Sequence, residues 1–337
     1  MSDTITVPEP RLDMPVLADP TTNLVFTAAE DVRRVTRLIC VLYPVFALAL
    51  YLLIEWEDDK PWAIKFVVAS VAYALAGALY LLVVPRRPTR EFLARNGWRP
   101  ASARLIGSTL EVDDPQVRHL RLTFVPRAHR LVIARTGRVW LVGPDAGGRV
   151  AVRVEGSHAV HPVRRADGTG ASRTERLGDG ATVTRLTARR LASTPVLTVS
   201  AMGLGYAAVS VNFTAPLFGT LVSCAVMTLF WSVAVIYQWQ WCRLPALINA
   251  GEWVRAEIQL APWTAQRNQI ASAHGHIRLA DGTILAISMR AAKVDLLGTI
   301  LESGVLWVAG EPQPGRTVAV GFPGYPQLAV AKIAAYG

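Results

Sequence analysis

Apolar and polar positions follow two kinds of pattern along this chain. Four windows are apolar over the roughly 20 residues that a helix needs to cross a hydrocarbon core about 30 Å thick: Val35 to Ile54, Trp62 to Val84, Pro195 to Phe213 and Leu217 to Tyr237. The third is the most dilute, interrupted by Thr198, Ser200, Gly203, Gly205 and Ser210. Elsewhere the period shortens to two, as in strands with one buried face. Trp253 to Leu260, Gly275 to Leu279 and Thr283 to Met289 read as strands, with Asp281-Gly282 as a tight turn between the last two. Ala291 to Glu302 has helical spacing at Ala292, Leu296, Leu297 and Ile300 and is closed by Gly304, and two more strands follow. Strand, strand, strand, helix, strand, strand is the order of an OB-type barrel, with a small SH3-like barrel as the alternative.

The pattern occurs twice. Arg33-Arg34 recurs as Arg189-Arg190, Pro61 as Pro216, Arg86-x-Pro88 as Arg243-x-Pro245, and Trp98-x-x-Ala101 as Trp253-x-x-Ala256, at offsets of 155 to 157. Further on, the offset grows to 167 or 168, where Trp140, Gly143, Gly148, Arg149 and Gly156 match Trp307, Gly310, Gly315, Arg316 and Gly324 around a shared Val-x-Val run. The shared motif reads as a strand ending at the tryptophan, a glycine-containing turn and a second strand, so a structural hairpin is expected. A phosphate loop would need Gly-Lys-Ser/Thr or Gly-x-Gly-x-x-Gly leading into a helix, and neither is present. The first copy is about a dozen residues shorter before this motif and shows no clear counterpart of the helix, so it reads as a reduced version.

Together these patterns predict an α-helical membrane protein with small all-β or α+β domains, a tandem repeat of two transmembrane helices plus an OB- or SH3-like barrel. The expected order is a disordered cytoplasmic arm over 1–32, a transmembrane hairpin over 33–88, a basic β domain over 89–165, a flexible linker over 166–186, a second hairpin over 187–243 and a second β domain over 244–337. Arginines flank one end of every span (Arg33, Arg34, Arg37; Arg86, Arg87, Arg90; Arg185, Arg189, Arg190; Arg243), while Glu55, Glu57, Asp58 and Asp59 occupy an opposite end. The positive-inside bias then puts both termini and both β domains in the cytoplasm, with four spans in a bacterial inner membrane. Trp56, Trp62, Trp239 and Trp241 fit interfacial anchoring, and Lys65 fits snorkelling to the headgroups. The small-residue spacings Ala74-x-x-x-Ala78, Ala201-x-x-x-Gly205 and Gly203-x-x-x-Ala207 suit close helix packing within the chain or in a homo-oligomer.

Composition adds a partner. The chain is 52% hydrophobic with a mean hydropathy of +0.31 and a net charge of +10. Residues 86 to 190 hold 21 arginines, no lysine and 9 acidic residues, which concentrates positive charge in the first β domain. Anionic inner-leaflet lipid attracts such a surface with about 1 kcal/mol per nearby basic residue. Nucleic acid is the weaker expectation, because Trp98, Phe124 and Trp140 sit in strand-like contexts as core residues and leave no stacking platform.

Candidate chemistry is sparse. Cys40, Cys224 and Cys242 lie in or beside apolar windows without paired spacing. His158-x-x-His161 and His274-x-His276 lack a thiolate or a suitably spaced carboxylate to complete a metal set, and read as surface or turn residues. No nucleophile stands beside a plausible base, so neither catalysis nor a cofactor is expected. Two apolar spans followed by a barrel ending in Gly315, Val318, Val320, Gly324, Leu328 and Val330 resemble the membrane-tethered OB domains of NfeD-type proteins, and also uncharacterised duplicated integral membrane proteins of actinobacteria. That resemblance implies a scaffold or modulator of a membrane partner and carries no catalytic residue. The expected function is therefore a non-catalytic membrane protein whose β domains bind or scaffold a protein partner at the membrane surface. An oligomeric channel or transporter component is the alternative, and a membrane enzyme the third reading.

Overall fold

A computed structural model of the chain describes residues 5–53, 87–166, 168, 179–212, 238–264 and 269–336, with a few further positions between 67 and 82. It divides into two compact units. One holds Met1–Ala29, Pro85–Ala192 and Gln240–Gly337; the other holds Glu30–Val84 and Ser193–Trp239.

The first unit contains two closed antiparallel barrels of one topology. In the first, β1 (Arg99–Ile106), β2 (Thr109–Val112), β3 (His119–Arg121), β4 (Arg138–Val142), β5 (Val150–Arg153) and β6 (His161–Arg165) close in the order β1-β2-β3-β6-β5-β4. In the second, β7 (Trp253–Leu260), β8 (Ile270–Arg278), β9 (Ile284–Lys293), β10 (Val305–Ala309), β11 (Thr317–Phe322) and β12 (Gln327–Ala335) close in the order β10-β11-β12-β9-β8-β7. Each barrel has the strand order expected of an OB-type barrel plus a sixth strand, so three strands follow the helix where two were expected. Alternation drives closure: Leu105, Leu110, Leu120, Val139, Leu141 and Val152 all point into one core and are at most 5% exposed.

A helix plugs each barrel between its third and fourth strands. In the second it is α6 (Val294–Ser303), which buries Leu296, Leu297 and Ile300 and ends at Gly304 in the left-handed region. The first barrel has the same device in α3 (Arg127–Thr136), which buries Ala128, Leu131, Val132 and Ile133 and ends at left-handed Gly137. The first copy therefore keeps the helix. Its shortening lies in the β2–β3 hairpin, whose strands span four and three residues against nine and ten in β8 and β9.

The polar N-terminal segment is not separate from the first barrel. Pro15 bridges Gly97, and Val16 and Phe26 are each 1% exposed in a cluster with Leu93, Trp98 and Trp140. From there α1 (Pro20–Leu53) begins; α2 (Arg90–Arg95) leads into β1, α5 (Leu244–Leu247) precedes β7, and α4 (Gly180–Asn212) begins inside the stretch expected as a linker, whose residues 167 and 169–178 lie outside the described residues.

The transmembrane architecture is overturned. Among the described residues no helix is long and apolar enough to cross a membrane. In α1 the first half is polar, and its start packs on the first barrel through Phe26. The fourth window lies outside the described residues, and of the second only 67, 68, 71, 74, 75, 78, 79 and 82 lie within them. Among the described residues the fold is two six-stranded barrels with helices in place of the expected α-helical membrane architecture, and the four spans, with the inner-membrane placement and cytoplasmic termini drawn from them, lose their support. In the second unit, described by itself, α1 exposes Leu38, Val41, Leu42, Val45, Leu48 and Leu52.

Candidate functional site at the junction of the barrels

Arg153 is the centre of the junction. Alternation along β5 sends Val150 and Val152 into the barrel and Arg153 out of it, yet Arg153 is only 2% exposed. Its Nη1 donates to Asp19 Oδ2 at 3.3 Å and to Thr22 Oγ1 at 3.2 Å, and its Nη2 lies 3.2 Å from His158 Nδ1. Asp19 caps α1 by accepting from the Thr21 amide and the Thr22 hydroxyl. Across the junction, Asp295 in the first turn of α6 accepts from the His158 amide at 2.5 Å and the Ser157 hydroxyl at 2.9 Å. Burial alone would raise the Asp19 pKa, but hydrogen bonds from His158 and Thr22 and the charge of Arg153 outweigh it and hold the carboxyl well below its usual range. Burial lowers the Arg153 pKa, opposed by Asp19, Asp295 and Glu302.

Ligand atoms of Asp19, His158 and Glu302 lie within 4.8 Å of one another, a spacing that could hold a metal. The Arg153 guanidinium already bonds two of the three, so the cluster is an ion-pair network with its cation built in.

The second barrel docks by a related arrangement. The loop after β11 meets α4, where the Gly324 amide donates to Thr184 Oγ1 at 2.8 Å, and the Tyr325 hydroxyl donates to Glu155 Oε1 at 2.8 Å. Arg135 of α3 lies over the Tyr325 ring at 5.0 Å. Gly156 and Gly324 both have positive φ, and side chains there would collide with Tyr325 and with Arg135 respectively. A cleft of about 920 Å³ opens beside this contact, lined by Arg135, Thr184, Arg185, Asn249, Trp253 and Tyr325.

Two half-buried histidines complete the junction. The rings of His129 (α3) and His161 (β6) meet edge to face with centroids 4.7 Å apart, and His129 Nδ1 and His161 Nε2 are buried without a hydrogen-bond partner. Burial, with the charges of Arg87 and Arg190, lowers the His161 pKa to about 4; burial with His161, Lys293 and Arg190 lowers that of His129. Lys293 is lowered to about 8 by burial and Arg190.

On the outer face of the first barrel, register brings arginines together. Arg121 pairs directly with Arg164 across β3 and β6, and Arg104, Glu111 and His119 continue the same face across β1, β2 and β3. Arg104, Arg121 and Arg164 are exposed, as are Arg118 and Arg165 at the strand ends.

The repeated motif has a structural position. Trp140 pairs with Pro100 and Arg153, and Trp307 with Arg255 and Gly321, which are equivalent positions in the two copies. Both indoles are buried, and both strands run two residues past the tryptophan. Gly143, Gly148 and Gly156, like Gly310, Gly315 and Gly324, all have positive φ; Arg149 and Arg316 immediately precede β5 and β11. Trp98 is buried as expected, whereas Phe124 is 38% exposed. His158 and His161, expected at the surface, are drawn into the junction; His274 is exposed and His276 packs against Tyr336. The residues not anticipated are Asp19, Arg153, Asp295 and Glu302. One signal was available: Arg153 stands where the second copy has Gly321. Comparison of the chain with protein-family models, curated proteins and solved structures returns no match.

Proposed function

We propose that the protein is a non-catalytic scaffold whose first barrel docks its β1–β2–β3–β6 face on anionic lipid. The observation that carries this reading is the direct pairing of Arg121 with Arg164 on an exposed sheet face. Like charges directly opposite in a sheet destabilise it, and an anionic surface offsets that repulsion. The surplus of arginine between residues 86 and 190 extends the same field. The ionisable groups at Arg153 are committed to structural bonds, which suits a rigid two-barrel body better than a catalyst.

The test is co-sedimentation of the full chain with vesicles of phosphatidylglycerol or of phosphatidylcholine. Pelleting is expected with the anionic vesicles alone, with release between about 0.1 and 1 M salt as the Debye length falls from about 10 to 3 Å. Equal pelleting with both lipids, or no change on Arg121→Glu with Arg164→Glu, refutes the reading.

A further inference from the structure

We propose that His129, His161, Lys293 and Arg190 form a binding site for a phosphate-type oxyanion at the junction of the barrels. α3 supplies His129 and β6 His161, whose rings touch, and the charges of Lys293 at the end of β9 and of Arg190 in α4 act on His129. Two imidazole nitrogens are buried with no hydrogen-bond partner, in rings that touch at 4.7 Å. Buried polar atoms of this kind are nearly always satisfied, so each orphan points to a group that completes it. The surroundings say which kind. Arg190 acts on both histidines and on Lys293, and Arg87 acts on His161, all in the sense that disfavours further positive charge. Asp295 is the carboxylate that acts on His161 and Lys293, and its oxygens are already engaged by Ser157 and His158.

A pair of histidines is also a familiar start for a zinc site, but zinc would add positive charge beside Lys293, Arg190 and Arg87, and among the described residues no group of three metal ligands includes the pair. A tetrahedral oxyanion does the reverse: its oxygens accept from both imidazoles and from the ammonium and guanidinium, and its charge relieves their mutual repulsion. Free phosphate and a phospholipid headgroup present the same oxygens, and the junction chemistry accepts either.

The experiment is side-chain 15N NMR of the histidines in the full chain, titrated with inorganic phosphate and, separately, with vesicles of phosphatidic acid or of phosphatidylcholine. Both imidazole signals are expected to move together towards the protonated form, with free phosphate if the ligand is soluble and only with phosphatidic acid if it is a headgroup. Phosphate binding, where seen, is expected to weaken at least tenfold in the His129→Gln, His161→Gln double variant. Histidine signals indifferent to phosphate and to phosphatidic acid overturn the proposal, as does a response to zinc alone. The titration of the unsubstituted protein decides the matter even if the double variant fails to fold.

Discussion

Replacing Arg153 by methionine keeps the aliphatic stem and removes the guanidinium that joins Asp19, Thr22 and His158. Removing one member of a buried ion pair costs about 3 to 5 kcal/mol, mostly because the other charge is left uncompensated. Asp19 remains 16% exposed and keeps the Thr21 amide and Thr22 hydroxyl, so the low end, about 3 kcal/mol, is expected. Against a usual domain stability of about 5 to 15 kcal/mol that is a large loss. Denaturant unfolding followed by tryptophan fluorescence measures it, with Trp98 and Trp140 in the adjoining cluster. Arg153→Met combined with Asp19→Asn should cost less than the two single changes added together, by about 1 kcal/mol or more, because the stranded charge is gone. The folded Asp19 carboxyl binds its proton less readily than the unfolded one. Its stabilisation is therefore complete above the unfolded pKa of about 3.9 and is lost as pH falls below it. The methionine variant should lose much of that acid dependence. A single-variant cost below about 0.5 kcal/mol, or strict additivity in the pair, refutes the lock.

Gly156→Ala combines a left-handed backbone with a collision against Tyr325, so a loss of at least about 1 to 2 kcal/mol is expected in the same unfolding assay; a neutral result means that the loop is not seated as described. His161 has a folded pKa of about 4 against about 6.5 unfolded. The unfolded state thus binds more protons between those values, and stability should fall as pH drops from about 6.5 to 4. His161→Gln should flatten that limb when unfolding free energy is measured across the window without phosphate.

The second barrel was readable where alternation is clean. Along β7 the inward positions Ala256 and Ile258 alternate with exposed Arg255, Glu257 and Gln259. The start of β8 was not, because Ala271 and Ala273 carry little apolar signal and a bulge separates them. Helix α3 hid its apolar positions among Arg127, His129, Arg130 and Arg135, and its N-cap is Pro126 without a side-chain capping bond. The Arg153 lock was out of reach of local reasoning, since Asp19 lies 134 residues away and pairing them requires the barrel and α1 to be docked. The apolar window from Val35 was legible, whereas the helix that precedes it, seated on Arg153 through Thr22 and on the Trp140 cluster through Phe26, was not, because those residues are polar or isolated in the sequence. Arginine excess was legible as composition, whereas the pairing of Arg121 with Arg164 is a fact of register.

That pairing provides the most direct measurement of the central claim. On one variant, Arg121→Thr, both unfolding free energy and co-sedimentation with phosphatidylglycerol vesicles can be read. If the like-charged pair is retained for docking on anionic lipid, the substitution stabilises the free protein by about 0.2 to 1 kcal/mol, through relief of repulsion and a better strand residue, while vesicle binding weakens severalfold. A variant that is less stable and binds vesicles as well as the unsubstituted protein would contradict the account.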